Sequence, residues 1–280
     1  FRYAPAMTPP GAWSTAEGAA SWQASLAQRQ QSLAFVTELL FAQAGIGPGV
    51  RALEVGSGTG DAALLAAARV GPAGSVLATD ASAPMLEVAA RLAREAGFTN
   101  VSTRAVRAED LDLPPGSFDA AISRNCLMFV PDLPRALRAV RTALRPGGRF
   151  AASVWGPLER NPFHGAPIAA VRRRRAIPLP PPEVVQAFSL CSRAALADAL
   201  RAGGFARIRL QSVPAPRVFP SFDEALRSGR EFPPFLALLG LLPEAQREEA
   251  WDEIAREWAR FSTAAGLELP GEQLVVSGEA

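Results

Sequence analysis

Lysine is absent from the 280 residues, so all 29 basic side chains are arginine. No amine is available for Schiff-base chemistry or for any mechanism that needs a lysine. Histidine occurs once, as His164, and cysteine twice, as Cys126 and Cys191. That inventory is too small for an all-protein zinc site, and the cysteine spacing makes neither a metal motif nor a disulfide framework. No bound metal is expected. No apolar run reaches the roughly 18 residues that argue for a membrane span, and the first residues lack a basic-then-apolar signal pattern. A soluble, cytoplasmic protein with no membrane span is the expectation. The formal charge is only +2, with acids and bases interspersed, which gives no electrostatic reason to expect a nucleic-acid partner.

What is present is apolar: 49% of the chain, enough for a sizeable core and against global disorder. Phe1 to Gly11, with three prolines, reads as an extended arm. Ala12–Ala44 follows a helical pattern, with Leu26, Leu33, Val36, Leu39 and Leu40 on one side and breakers from Gly45 onwards. Strands are predicted at Val50–Val55, Ser75–Thr79, Val101–Val106, Phe118–Ser123 and Arg149–Trp155. Helices are predicted between them, ending near Val70, at Ala83–Ala96 and at about Leu133–Leu144. Strands alternating with helices in this way argue for a doubly wound, mostly parallel sheet. After Trp155 the pattern changes. A short helix around His164–Arg175, a helix at Ser192–Ala202, a strand at Phe205–Val213 and inserted helices in Phe222–Ala264 are expected. Trp251 and Trp258 fall on one helical face, and Gln273–Val276 reads as a strand returning to the sheet.

Strand-to-helix turns at the carboxyl edge of such a sheet form the ligand crevice. The first is Glu54-Val55-Gly56-Ser57-Gly58-Thr59-Gly60-Asp61. Alternate glycines permit a tight turn and close approach of a ligand, and the helix that follows offers free N–H groups. A dinucleotide fingerprint would need glycine at position 61, where Asp61 stands instead beside the expected pyrophosphate site. Glu54 is placed to accept a hydrogen bond from a cationic amine. Together they favour an amino-acid-bearing nucleoside over a dinucleotide, the competing reading being a glycine turn with no ligand.

This loop resembles the cofactor loop of class I S-adenosylmethionine-dependent methyltransferases, and further motifs follow in that family's order. Asp80 ends the second strand, and Asp80-Ala81-Ser82 leads to Met85. Ala108-Glu109-Asp110-Leu111 precedes Pro115-Gly116-Ser117-Phe118-Asp119, and Pro146-Gly147-Gly148 precedes strand five. The resemblance implies a Rossmann-like sheet of seven strands with helical additions at both ends. It also implies S-adenosyl-L-methionine as cofactor, held by Glu54, Gly56, Ser57, Gly58 and Gly60 in the loop. Asp80 and Ala81 would meet the ribose, Met85, Ala108 and Glu109 the adenine, and Asn125 the methionine portion. Blander roles stand beside these: Asp80 as a helix cap, Glu109 as a solvated loop acid, Asn125 as a structural residue. Val106-Arg107 replaces the Gly-Asp frequent in the family before the adenine segment.

The implied organisation is an N-terminal arm with lid helices at 1–44, a cofactor-binding core at 45–155, and acceptor-side helices completing the sheet at 156–280. The chain looks most like the ubiquinone/menaquinone-biosynthesis-like small-molecule branch, so methyl transfer to a quinone-like or natural-product metabolite is the leading expectation. An RNA methyltransferase, or a cofactor-bound cyclase or scaffold without methyl transfer, stays open here, as does homodimerisation. His164 is the one candidate general base, its alternative being a surface or capping role. Trp13 and Trp22 form either a lid over the cofactor or a packing stripe. Arg172-Arg173-Arg174-Arg175 reads as a solvated surface run rather than an RNA site, because four adjacent side chains on a helix point in all directions.

Overall fold

The apolar runs separated by glycine turns become the strands of one sheet in the computed structural model, which describes residues 14–178 and 181–280. The arm expected at Phe1–Gly11, with Ala12 and Trp13, lies outside the described residues. The chain then runs α1 (Ala16–Ala24), α2 (Leu26–Ala44), β1 (Arg51–Val55), α3 (Asp61–Val70), β2 (Ser75–Asp80), α4 (Ala83–Glu95), β3 (Val101–Ala105) and β4 (Phe118–Arg124). It continues through α5 (Leu133–Ala143), β5 (Leu144–Trp155), α6 (Pro162–Arg174), α7 (Glu183–Gln186), α8 (Arg193–Ala202), β6 (Ala206–Pro214) and β7 (Arg217–Phe219). The last elements are α9 (Phe222–Glu231), α10 (Pro233–Leu239), α11 (Glu244–Ala259), β8 (Ser262–Thr263), β9 (Gly266–Leu269) and β10 (Glu272–Glu279).

Seven strands form the main sheet in the order β3-β2-β1-β4-β5-β10-β6. The first five are parallel, with Leu53 beside Leu77 on one side and Ala121 on the other. Strand β10 inserts antiparallel between β5 and β6, pairing Val275 with Ser153 and with Gln211. Small residues let α3 lie close to the sheet: Ala62, Ala63, Ala66 and Ala67 are fully buried there, with α2 alongside through Val36 and Leu40. Leu137 and Val140 of α5 and Leu196 and Leu200 of α8 cover the opposite face.

Three sequence expectations are corrected. The N-terminal helix breaks at Ser25, whose hydroxyl donates to Trp22 O at 3.0 Å and competes with the helical ladder. Strand five begins at Leu144 rather than Arg149, paired to Phe118 before an irregularity in the ladder. The region read as inserted helices also holds β8, which joins β7 and β9 in a small second sheet ordered β7-β9-β8. Together with α6 and α9–α11 this sheet encloses its own core around Phe163, Phe219, Phe235, Trp251 and Trp258. Trp258 is stacked on Phe163 at 5.0 Å and donates its indole N–H to Pro162 O at 3.1 Å. Phe129 and Trp155 border both this core and the sheet's. Among the described residues no helix is long and apolar enough to cross a membrane.

Candidate active site

The strand order reverses between β1 and β4, and their carboxyl ends open the crevice that such sheets use for ligands. From β1, Gly56 and Ser57 donate their N–H groups to Thr79 O at 2.8 and 2.9 Å, bending the glycine loop across the end of β2. Gly58 N–H donates to Asp80 at 2.8 Å, and the other Asp80 oxygen accepts from Ser82 N–H at 2.8 Å. Asp80 therefore ties the two loops together. Burial raises its carboxyl above the usual range, while those backbone N–H groups oppose the rise. Ser82 caps α4, accepting from Met85 N–H at 3.3 Å, and Met85 is buried beneath.

Glu54 is buried at the loop's start, and its Oε2 has no hydrogen-bond partner among the described residues. Desolvation pushes its pKa up to about 8, only partly offset by Arg124 and raised further by Asp61 and Asp80. The Ser57 hydroxyl is likewise buried and unpartnered. Glu109 lies in a short 3-10 turn starting at Ala108, but its Oε1 already accepts from Arg107 at 2.5 and 2.8 Å.

Across the crevice, Asn125 follows β4 at φ 55, a left-handed conformation that Asn tolerates better than most side chains. Its N–H donates to Ser153 O at 2.9 Å. The turn aims Cys126 at the loop: a Cβ on Gly56 would collide with Cys126 Sγ. Burial, then the charges of Asp80, Glu54 and Glu109, push the Cys126 thiol up to about 12. Sequence reasoning missed Cys126 because nothing local signals that contact.

It also missed what Asp61 does. Asp61 is buried against Arg29 at 2.8 Å and Arg124 at 3.3 Å, and accepts the Thr59 hydroxyl at 2.8 Å. Arg124 donates in turn to Thr37 of α2 at 2.8 Å. Asp61 thus anchors the N-terminal helices to the glycine loop. Arg29 lies 4.1 Å from the Trp22 ring centroid and donates to Trp22 O. The indole nitrogen stands 3.6 Å from where a Cβ on Gly58 would be. Trp22 accordingly covers the loop, whereas Trp13 lies outside the described residues.

Residues 52–148 match the family model described as a methyltransferase domain. Those residues thus form a methyltransferase domain, and the chain is similar to class I S-adenosylmethionine-dependent methyltransferases. Over 173 residues it is 34% identical to nocamycin O-methyltransferase of Saccharothrix syringae, covering 58% of this chain and 61% of that protein. Over 110 residues it is 38% identical to demethylmenaquinone methyltransferase of Symbiobacterium thermophilum, covering 39% of this chain and 44% of that protein. The chain thus spans less than two thirds of these relatives' own lengths. The solved YcgJ protein of Bacillus subtilis shares the fold, with a TM-score of 0.57 at 20% identity over 89% of this chain and 98% of that one.

The methyltransferase cofactor, S-adenosylmethionine, fits the groups present. Two buried polar atoms, on Glu54 and Ser57, want partners, and nothing harder than an indole nitrogen stands over Gly58. On the other side of β5, His164 is buried among aromatic rings: Trp155 at 4.8 Å, Phe163 at 5.1 Å, Phe188 at 5.6 Å and Phe235 at 6.0 Å. Desolvation, with the nearby Arg217, holds its pKa well below 6.5, so the imidazole is neutral at physiological pH. Arg172, Arg173 and Arg175 of the arginine run are exposed and Arg174 is half-buried, a mostly solvated run held by pairing along its length. Arg173 and Arg174 pair with Glu253 of α11, and Arg175 donates to Leu241 O at 2.5 Å.

Proposed function

We propose that this protein transfers the methyl group of S-adenosylmethionine to a small-molecule acceptor, a natural-product or quinone-like metabolite. The observation that carries the reading is the buried Glu54 carboxyl, whose Oε2 has no partner among the described residues, at the start of a glycine loop closed by Asp80. In this reading Glu54 and Ser57 hold the amino-acid end of the cofactor and Asp80 with Ala81 the ribose. Met85, Ala108 and Glu109 border the adenine, and Asn125 with Cys126 walls the methionine portion. Glu109 meets the base through the oxygen that Arg107 leaves. When bound, the cofactor supplies a methyl group already activated by its sulfonium. The chain's own task is then to align the acceptor and exclude water. Trp22 closes the loop side, and the aromatic rings around His164 exclude water on the acceptor side.

His164 is the proposed catalytic side chain on that side, as a neutral hydrogen-bonding group that orients the acceptor. Its environment disfavours a resident proton, which argues against a base that stays charged. Pairing of Arg173 and Arg174 with α11 supports a small acceptor over RNA. So do the names of the nocamycin and demethylmenaquinone relatives.

Calorimetry with S-adenosylhomocysteine tests the cofactor site. Binding is expected for the native chain, and Gly58→Arg, which drives a long side chain into Trp22, is expected to abolish it. Unchanged affinity in that variant would sink the assignment. A panel of phenols, quinones, amines and polyketides, read by formation of S-adenosylhomocysteine, then tests transfer. Cofactor binding with no product from the true ligand would favour a cyclase or scaffold, and RNA affinity that survives moderate salt would favour an RNA substrate.

A further inference from the structure

Strand β7 is three residues long, and its side chains differ in exposure: Phe219 is buried, Val218 is exposed, and Arg217 is half-buried. The Arg217 guanidinium lies 4.2 Å from the centroid of the Phe163 ring, beside the lone histidine. Among the described residues no carboxylate pairs with it and no carbonyl accepts from it. This is unusual company for a guanidinium, because an arginine partly withdrawn from water ordinarily finds an anion or several acceptors. The neighbouring charge makes matters worse, since Arg29 repels it. Arg29 is itself neutralised by Asp61 at 2.8 Å, whereas Arg217 has no such counter-ion. Burial, then that repulsion, pushes the Arg217 pKa down to about 10, so the cation survives at neutral pH without compensation.

The position of this charge is specific. Contacts lead from Gly58 to Trp22 and Arg29 on one side and from Arg217 to Phe163 and His164 on the other, and the charges of Arg29 and Arg217 repel each other across the space between. Arg217 therefore lies at the edge of the aromatic cluster that Trp155 joins to the carboxyl end of β5, within range of Arg29's charge. Trp155, Phe188 and Phe232 complete that cluster and give it flat, apolar surfaces.

We propose that Arg217 recognises an anionic acceptor: a flat, largely apolar molecule carrying a carboxylate or another ionised oxygen, seated among these rings with its charge on the guanidinium. The inference rests on the methyltransferase reading and names its substrate class.

The test uses the full chain saturated with S-adenosylhomocysteine, with 1-hydroxy-2-naphthoate and its neutral carboxamide as matched probes, read by calorimetry. The native protein is expected to bind the acid at least about tenfold more tightly than the amide, the size of one charge-assisted contact. Arg217→Met is expected to erase that preference while leaving S-adenosylhomocysteine affinity unchanged. Arg217→Lys keeps a charge and should keep part of the preference, which controls for a packing effect. Equal binding of the two probes, binding of neither, or a preference that survives Arg217→Met overturns the proposal. Loss of S-adenosylhomocysteine binding by the native chain instead overturns the methyltransferase reading, so the two failures are distinguishable.

Discussion

Glu54 and Gly56 stand two residues apart and obey different physics. Glu54 holds a proton near neutral pH because burial disfavours its charge, and a cationic amine placed beside it would reverse that preference. Binding of S-adenosylhomocysteine at pH 6 to 7 should therefore release close to one proton. Calorimetry in buffers of different ionisation enthalpy measures this, and Glu54→Gln should remove it. Gly56 is constrained by geometry rather than charge. It has φ 73, and an added Cβ would collide with Cys126 Sγ. Gly56→Ala should cost about 2 to 4 kcal/mol, combining left-handed strain with overpacking. Denaturant titration of a double-mutant cycle with Cys126→Gly should recover the steric part and leave roughly 1 kcal/mol of backbone strain.

At the scale of elements, the N-terminal helices depend on one buried carboxylate. Asp61→Asn leaves Arg29 and Arg124 facing each other without a counter-charge and should destabilise the fold by about 3 kcal/mol or more. Arg29→Met leaves Asp61 paired with Arg124, so its cost should be less than half as large. Both variants should raise hydrogen exchange in α1 and α2, and equal effects of the two would contradict this account. The alternation of strands and helices from β1 to β5 was legible because glycine turns punctuate short apolar runs. The loop's own glycines, Asp80 and the order of motifs were legible for the same reason: they are local. Partners set by chain reversal were not. Asp61 meets Arg29 and Arg124 from distant segments, Cys126 meets Gly56 across the sheet, and three-residue β7 is too short to show a period. Ser25, one small hydroxyl inside a long apolar pattern, gave no sign that it would split the helix.

For the whole molecule, two buried groups should shape stability against pH in opposite senses. His164 is kept neutral when folded, so its contribution is complete above pH 6.5 and is lost as pH falls below that value and the unfolded chain takes up a proton. Glu54 keeps its proton in the cofactor-free fold, so its contribution is lost as pH rises from 4.5 towards about 8. Between pH 6.5 and about 8 only the second effect operates, and thermal melts of the cofactor-free protein should fall across that window. Glu54→Gln should flatten the decline, while His164→Gln should alter only the limb below pH 6.5.

Strand β10 lies inside the sheet although it follows every other strand in sequence. Among the described residues β6 has no other ladder partner, and β5 has none on that side, so both keep an open edge until residues 272–279 have been synthesised. A nascent chain on the ribosome therefore presents the incomplete half of its sheet throughout translation of residues 215–271. Interaction with a chaperone should be most persistent in that interval, and stalled chains ending before position 272 should be the ones that aggregate.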